Sequence, residues 1–211
     1  IITRTFLYDI INQLDYHLDI NKAKRFYADM KVGQEAIKSQ QFQQVGDVTG
    51  FPPRSDLYLN SNAATSTNGK VYANDYTFEG YFANTTISLL DKYTLYGSFR
   101  RDGSSRFGIV NPYGNFWSVG TSWNLLNEEA FKNVKALSAF KLHASYGTNG
   151  NDQISNYLYL PLYSTSTTYL SNPSLVPTTL PNADIQWETT KKFEAALELG
   201  FLKDKVLFTA E

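Results

Sequence analysis

Residues 92–108 read KYTLYGSFRRDGSSRFG, and the alternation in this stretch decides the fold class. Successive side chains of a strand point to opposite faces, so Tyr93, Leu95, Gly97 and Phe99 share one side and Thr94, Tyr96, Ser98 and Arg100 the other. One side suits hydrocarbon and the other suits water. The run then turns into loop chemistry: Asp102 can bond its own backbone, Gly103 and Gly108 accept positive φ, and Arg101, Ser104, Ser105 and Arg106 keep the segment wet. The expectation is a strand ending at Arg101 and a loop over 102–114 that offers contacts to a bound molecule.

The same two-residue period recurs on both sides of this stretch. From Phe6 to Ile20 the even positions are apolar apart from Asn12, while Asp9, Gln13, Asp15, His17 and Asp19 fill the odd ones. Such a run extends roughly 50 Å at about 3.3 Å per residue, well beyond the ~5–6 residues of a soluble strand. A short turn at 21–24 leads to a strand from Arg25 to about Ile37. Residues 38–75 show no sustained period and include Gly50-Phe51-Pro52-Pro53, which cannot continue a ladder, so they read as a long loop. Strands follow at 76–90, 93–101, 115–125, 139–148, 187–199 and 206–211. A helical turn is expected at 127–132 with Asn127 as its cap, and 149–186 reads as a second long, Pro-punctuated loop. Short and long connections alternate, as in outer-membrane barrels with short periplasmic turns and long outer loops. About eight antiparallel strands are expected.

Composition fits without deciding. The 211 residues are 42% hydrophobic and 18% charged, which a barrel shares with soluble domains because lumen-facing and lipid-facing residues average out. No apolar run is long enough for a membrane helix. Aromatics make up 15%, favouring strands and interfacial girdles. With 0 cysteines there is no disulfide framework, and a net charge of -1 gives no reason to expect nucleic acid as a partner. The chain begins Ile1-Ile2-Thr3 and ends inside an expected strand, so it is expected to be a piece of a longer protein.

Enzyme chemistry finds no support. His17 and His143 sit on separate strands without metal-ligand spacing, no Ser-His-Asp order or nucleophile elbow occurs, and helix-start chemistry accounts for Glu128-Glu129. No catalytic residue, metal or cofactor is expected. The candidates for loop or lumen contacts are Arg100, Asp102, Ser104, Arg106, Asn149 and Asn151. For Asp102 to Arg106 the plainer reading is a structural turn whose arginines pair with nearby carboxylates, and for Asn149-Gly150-Asn151 a turn at a strand's mouth. Trp117 and Trp123 are either a sugar-stacking platform in a soluble domain or interfacial anchors in a barrel. Two functional classes stay open: a membrane transporter, or a soluble or surface β-sandwich that binds carbohydrate. Strand length and connection parity favour the first. A third architecture, a small closed barrel, requires a complete chain.

The run RRDGSSRFG following KYTL resembles the SusC/RagA group of TonB-dependent outer-membrane transporters. Three further stretches are similar to that group in the same order: Phe116 to Trp123 (FWSVGTSW, with Trp117 where proline is usual), Leu142 to Asn151 (LHASYGTNGN, with His143 for arginine) and Leu180 to Thr190 (LPNADIQWETT). Together they cover roughly residues 76–205. The resemblance implies an all-β, antiparallel transmembrane β-barrel segment, about eight strands of a larger, 22-stranded barrel, with residues 1–211 part of one outer-membrane domain. It also implies import of oligosaccharides or peptides across the outer membrane, a SusD-like surface lipoprotein as lid, and energy from the TonB complex through an N-terminal plug and TonB box upstream of Ile1.

Overall fold

The computed structural model describes residues 1–49, 65–131, 134, 136–170 and 172–211. Its strands are β1 (Ile2–Asn21), β2 (Phe26–Thr49), β3 (Thr65–Leu89), β4 (Tyr93–Ser104), β5 (Tyr113–Asn124), β6 (Leu137–Asn151), β7 (Leu162–Tyr169), β8 (Asn172–Thr179), β9 (Glu188–Phe201) and β10 (Val206–Ala210). Eight of them form one antiparallel sheet in the order β1-β2-β3-β4-β5-β6-β9-β10, and β7 with β8 makes a separate two-stranded sheet. The all-β segment of eight wall strands is therefore present. No described helix is long and apolar enough to cross a membrane.

Register converts the sequence period into two continuous faces, because residues directly paired across antiparallel strands lie on the same side. The pairs Leu14 with Val32, Val32 with Ala83, Ala83 with Phe99 and Phe99 with Trp117 make one lateral row. Val119 with Tyr146 and Tyr146 with Phe193 carry the same face onward. The opposite face carries His17, Asp29, Asn84, Ser98, Ser118 and Glu194. Val119 is 45% exposed and Phe193 69%, and among the described residues no second sheet covers this apolar face, as a sandwich would require.

Four expectations need correction. Most of 38–75 is strand, since β2 runs to Thr49 and β3 starts at Thr65; Gly50 to Pro53 lie outside the described residues. Asp102-Gly103 is strand, not turn: Asp102 pairs with Gly80 and Gly114, Gly103 with Glu79 and Tyr113. Two flanking strands satisfy those backbone groups, and that outweighs the local turn preference of the dipeptide. Chain reversal is left to a 3-10 turn at Ser105–Phe107 and to Gly108, at φ 70. The helical turn expected from Asn127 is instead a 3-10 turn at Leu125–Asn127 preceded by Asn124, which makes no side-chain cap; Lys132 lies outside the described residues. The segment expected as a loop over 149–186 holds the end of β6 and the β7–β8 hairpin.

The turns at 22–25, 90–92, 125–131 and 202–205 share one end of the sheet. There Arg25 is ion-paired with Asp91 and Asn127 Nδ2 donates to the Asp91 carbonyl at 2.8 Å. The connections 105–112 and 152–187 share the other end. Sheet ends alternate as expected, but the 105–112 connection is the shorter of the middle pair because β4 extends farther than its composition suggested.

Candidate functional site

Buried side chains concentrate under the loop end, where Phe107 is 1% exposed, Ser104 2%, and Asp102 and Phe116 7% each. Phe107, in the turn after β4, packs at a tilt against Trp187 with centroids 4.9 Å apart, and Phe116 of β5 meets the same indole edge-on at 5.3 Å. Trp187 Nε1 donates to the Pro112 carbonyl at 3.1 Å, which also accepts from Ser104 N at 3.0 Å. Two stretches far apart in sequence thus supply one small apolar core, with its polar handle satisfied.

Around that core lies a chain of charged and hydroxyl groups. Arg100, on the polar face, donates through Nη2 to Glu35 Oε2 at 2.5 Å and through Nε to Asp102 Oδ1 at 2.6 Å, and its guanidinium lies 5.5 Å from the Phe78 ring centre. An arginine keeps its charge, so holding it half-buried takes carboxylates on two sides. One strand turn further out, Asp152 accepts from the Tyr76 hydroxyl at 2.8 Å and from Ser104 Oγ at 3.0 Å, with Arg106 Nη1 at 3.5 Å. Arg106 also donates to the Asp152 carbonyl and to Asn156 Oδ1, both at 2.9 Å, and lies 4.1 Å over the Tyr76 ring. Asn156 donates to Asn74 Oδ1 and the Asp75 carbonyl, and the Tyr157 hydroxyl accepts from Asp75 N at 2.8 Å. Residues 152–157 therefore reach back across β5 and β4 to clasp β3 at residues 74–76.

Of the six candidates read from sequence, Arg100, Asp102, Ser104 and Arg106 converge here. Asn149 lies with Arg100 and Asp102 in the wall of a hollow of about 520 Å³. Asn151 stands apart, donating to Glu188 at 3.0 Å and accepting from Gln153 N. Sequence reading missed Glu35, Tyr76, Asp152, Asn156 and Trp187 as members of this cluster. Trp187 lies within the Leu180 to Thr190 stretch, and Asp152 directly follows the Leu142 to Asn151 stretch. No group of His, Cys, Asp and Glu among the described residues is arranged to hold a metal.

A second hub lies at the turn end. Glu128 accepts from Lys92 at 2.8 Å, from the Tyr93 hydroxyl at 2.6 Å and from Trp123 Nε1 at 3.2 Å. Tyr93 and Trp123 stack at 6.1 Å. Lys92 above all, then Tyr93, lowers the Glu128 carboxyl to about 2.

The family described as TonB dependent receptor-like, beta-barrel matches residues 3–211. The chain is 34% identical over 142 residues to the TonB-dependent receptor SusC of Bacteroides thetaiotaomicron, covering 64% of this chain and 14% of that protein. It is 30% identical over 206 residues to the TonB-dependent receptor P26 of Formosa agariphila, covering 92% of this chain and 20% of that protein. Among solved structures, the RagAB peptide transporter superposes with a TM-score of 0.88 at 25% identity over 97% of this chain and 23% of the matching one. The chain spans between 14% and 23% of the length of these relatives.

Proposed function

The chain belongs to the TonB-dependent receptor-like β-barrel family, and from that premise we propose that it forms eight adjacent wall strands of an outer-membrane importer. The importer takes up oligosaccharides or peptides, is driven through the TonB complex, and works with a SusD-like surface lipoprotein as its lid. The observation that carries this reading is the two-faced register, interrupted only near strand ends at Asp19/Asn21, Asp47/Val48 and Leu137/Ala139: one apolar, exposed face from β1 to β10 for lipid, and one polar face for a lumen. A solved RagAB relative is a peptide transporter, which supports peptides within the substrate class. On this reading Arg100, Asp102, Ser104 and Arg106 shape the wall. Asn149, exposed and without a hydrogen-bond partner among the described residues, is the one of the six free to meet solute.

The full-length protein provides the test. Cells lacking it should lose uptake of labelled oligopeptides or oligosaccharides, regain it on complementation, and lose it again when TonB is disrupted. Cysteines at Leu142 and Ala144 should resist a membrane-impermeant thiol reagent, whereas those at Lys141 and His143 should react. Unchanged uptake of every such substrate without the protein would overturn the transport reading, and the reverse labelling pattern would overturn the assignment of faces.

A further inference from the structure

Charge on the apolar face is confined to one end. Among the described strands, every Asp, Glu, Lys or Arg on that face (Arg4, Lys38, Asp75, Glu79, Arg101 and Lys191) lies on the loop side of the apolar band. Just beyond the row from Leu14 to Trp117, a groove of about 540 Å³ crosses the sheet, with Tyr8, Ile10, Ala36, Lys38, Glu79 and Tyr113 among the residues lining it. That volume falls within the ~300–1,000 Å³ of ordinary ligand clefts. Gly103 leaves the opening, since a Cβ there would lie 2.6 Å from the Tyr113 ring. The Tyr113 hydroxyl is bonded to Glu79, and the Arg101 guanidinium lies 4.8 Å over the same ring.

We propose that this groove binds a phosphorylated, acylated sugar lipid of the outer leaflet, of the lipid A type. The proposal rests on the reading that the apolar face meets lipid. The groove continues the apolar band, so an acyl chain already lying against Leu14 and Val32 extends into it without crossing water. Lys38 and Arg101 make no ion pair among the described residues, and each supplies a charge-assisted donor for an anionic headgroup. They lie two strands across and four residues along from one another, roughly 16 Å between Cα atoms, with Glu79 placed between them. A carboxylate flanked by two cations repels a lone phosphate but accepts a sugar hydroxyl, which favours a phosphorylated sugar over a simple phospholipid headgroup. Tyr8, Tyr81 and Tyr113 supply the amphipathic rings suited to headgroup depth.

The full-length protein in phosphatidylethanolamine nanodiscs, titrated with lipid A and separately with phosphatidylglycerol, gives the test, with bound lipid counted by native mass spectrometry. Wild type should prefer lipid A. Lys38→Gln and Arg101→Gln should each weaken lipid A binding about tenfold, and Lys38→Arg should retain it, with heat-modifiable mobility verifying that each variant is folded. Equal lipid A affinity of wild type and the double variant, or no preference over phosphatidylglycerol, overturns the site. So does cross-linking from position 38 to a second copy of the chain. A wild-type protein absent from the outer-membrane fraction overturns the transport reading along with it, whereas an inserted, transporting protein indifferent to both substitutions overturns this site alone.

Discussion

Arg106 and Asp152, 46 residues apart, are joined at the loop end of the sheet: Arg106 Nη1 donates to the Asp152 carbonyl at 2.9 Å and stands 3.5 Å from its carboxylate. That carboxylate also takes the Tyr76 hydroxyl and Ser104 Oγ, so one side chain ties β3, β4 and the segment after β6. Asp152→Ala would strand two donors that are shielded from solvent, at a cost of about 1–3 kcal/mol. The effect should be local, because the wall strands keep their ladders. Hydrogen exchange should speed up at 152–160 and at residues 74–76 of β3, with exchange in β5 unchanged; uniform protection in the variant would refute the clasp.

Glycine positions separate packing from propensity. A Cβ at Gly33 would come 2.7 Å from the Asn12 carbonyl oxygen and against the Phe82 ring, whereas at Gly97 it would meet nothing within 4 Å. Gly33→Ala should destabilise by about 1–3 kcal/mol through overpacking against backbone that cannot step aside. Gly97→Ala should be neutral or stabilise by up to about 1 kcal/mol, since glycine is the costlier residue in a strand. Urea unfolding of both full-length variants in bilayers compares them, and equal midpoints would contradict the contact geometry.

Glu128 sets an acid dependence at the turn end. Its carboxyl is lowered from 4.5 to about 2 by Lys92 first and Tyr93 next. A group whose folded value is depressed contributes stability above its unfolded value and loses it as pH falls toward the folded one. The hub should therefore hold at pH 5 and loosen between about 4.5 and about 2. Trp123 bonds Glu128 directly and reports on it: its fluorescence should change over this window in wild type and not in Glu128→Gln. A flat wild-type profile would rule the linkage out.

Adjacent positions on β5 test which face is which. Val119 lies on the apolar side between Trp117 and Trp123, and Ser118 on the polar side, where its hydroxyl is 2.6 Å from that of Ser98. Val119→Lys should cost about 2–4 kcal/mol if buried in hydrocarbon. Ser118→Lys should cost under about 1 kcal/mol, chiefly the lost hydroxyl pair. Folding yield into vesicles under urea measures both, and a larger penalty at 118 would invert the faces.

The period-two pattern by itself determined the eight strands of the large sheet and their faces, though not the β7–β8 hairpin or the ends of β2, β3 and β4, because a one-residue slip would move every apolar side chain to the wrong side. Local composition likewise marked Arg100 as a polar-face cation in need of carboxylates. It could not say which carboxylates, since Glu35 lies 65 residues away and reaches Arg100 only once β2, β3 and β4 are in register. Asp102-Gly103 was misread because turn propensity is a property of the dipeptide, while the ladder that overrides it comes from β3 and β5. The clasp at Asp152, the shared core of Phe107 and Trp187, and the groove flanked by Lys38 and Arg101 were set by tertiary structure alone. Their partners lie on different strands or loops, and only the order and stagger of the sheet bring such groups within bonding distance.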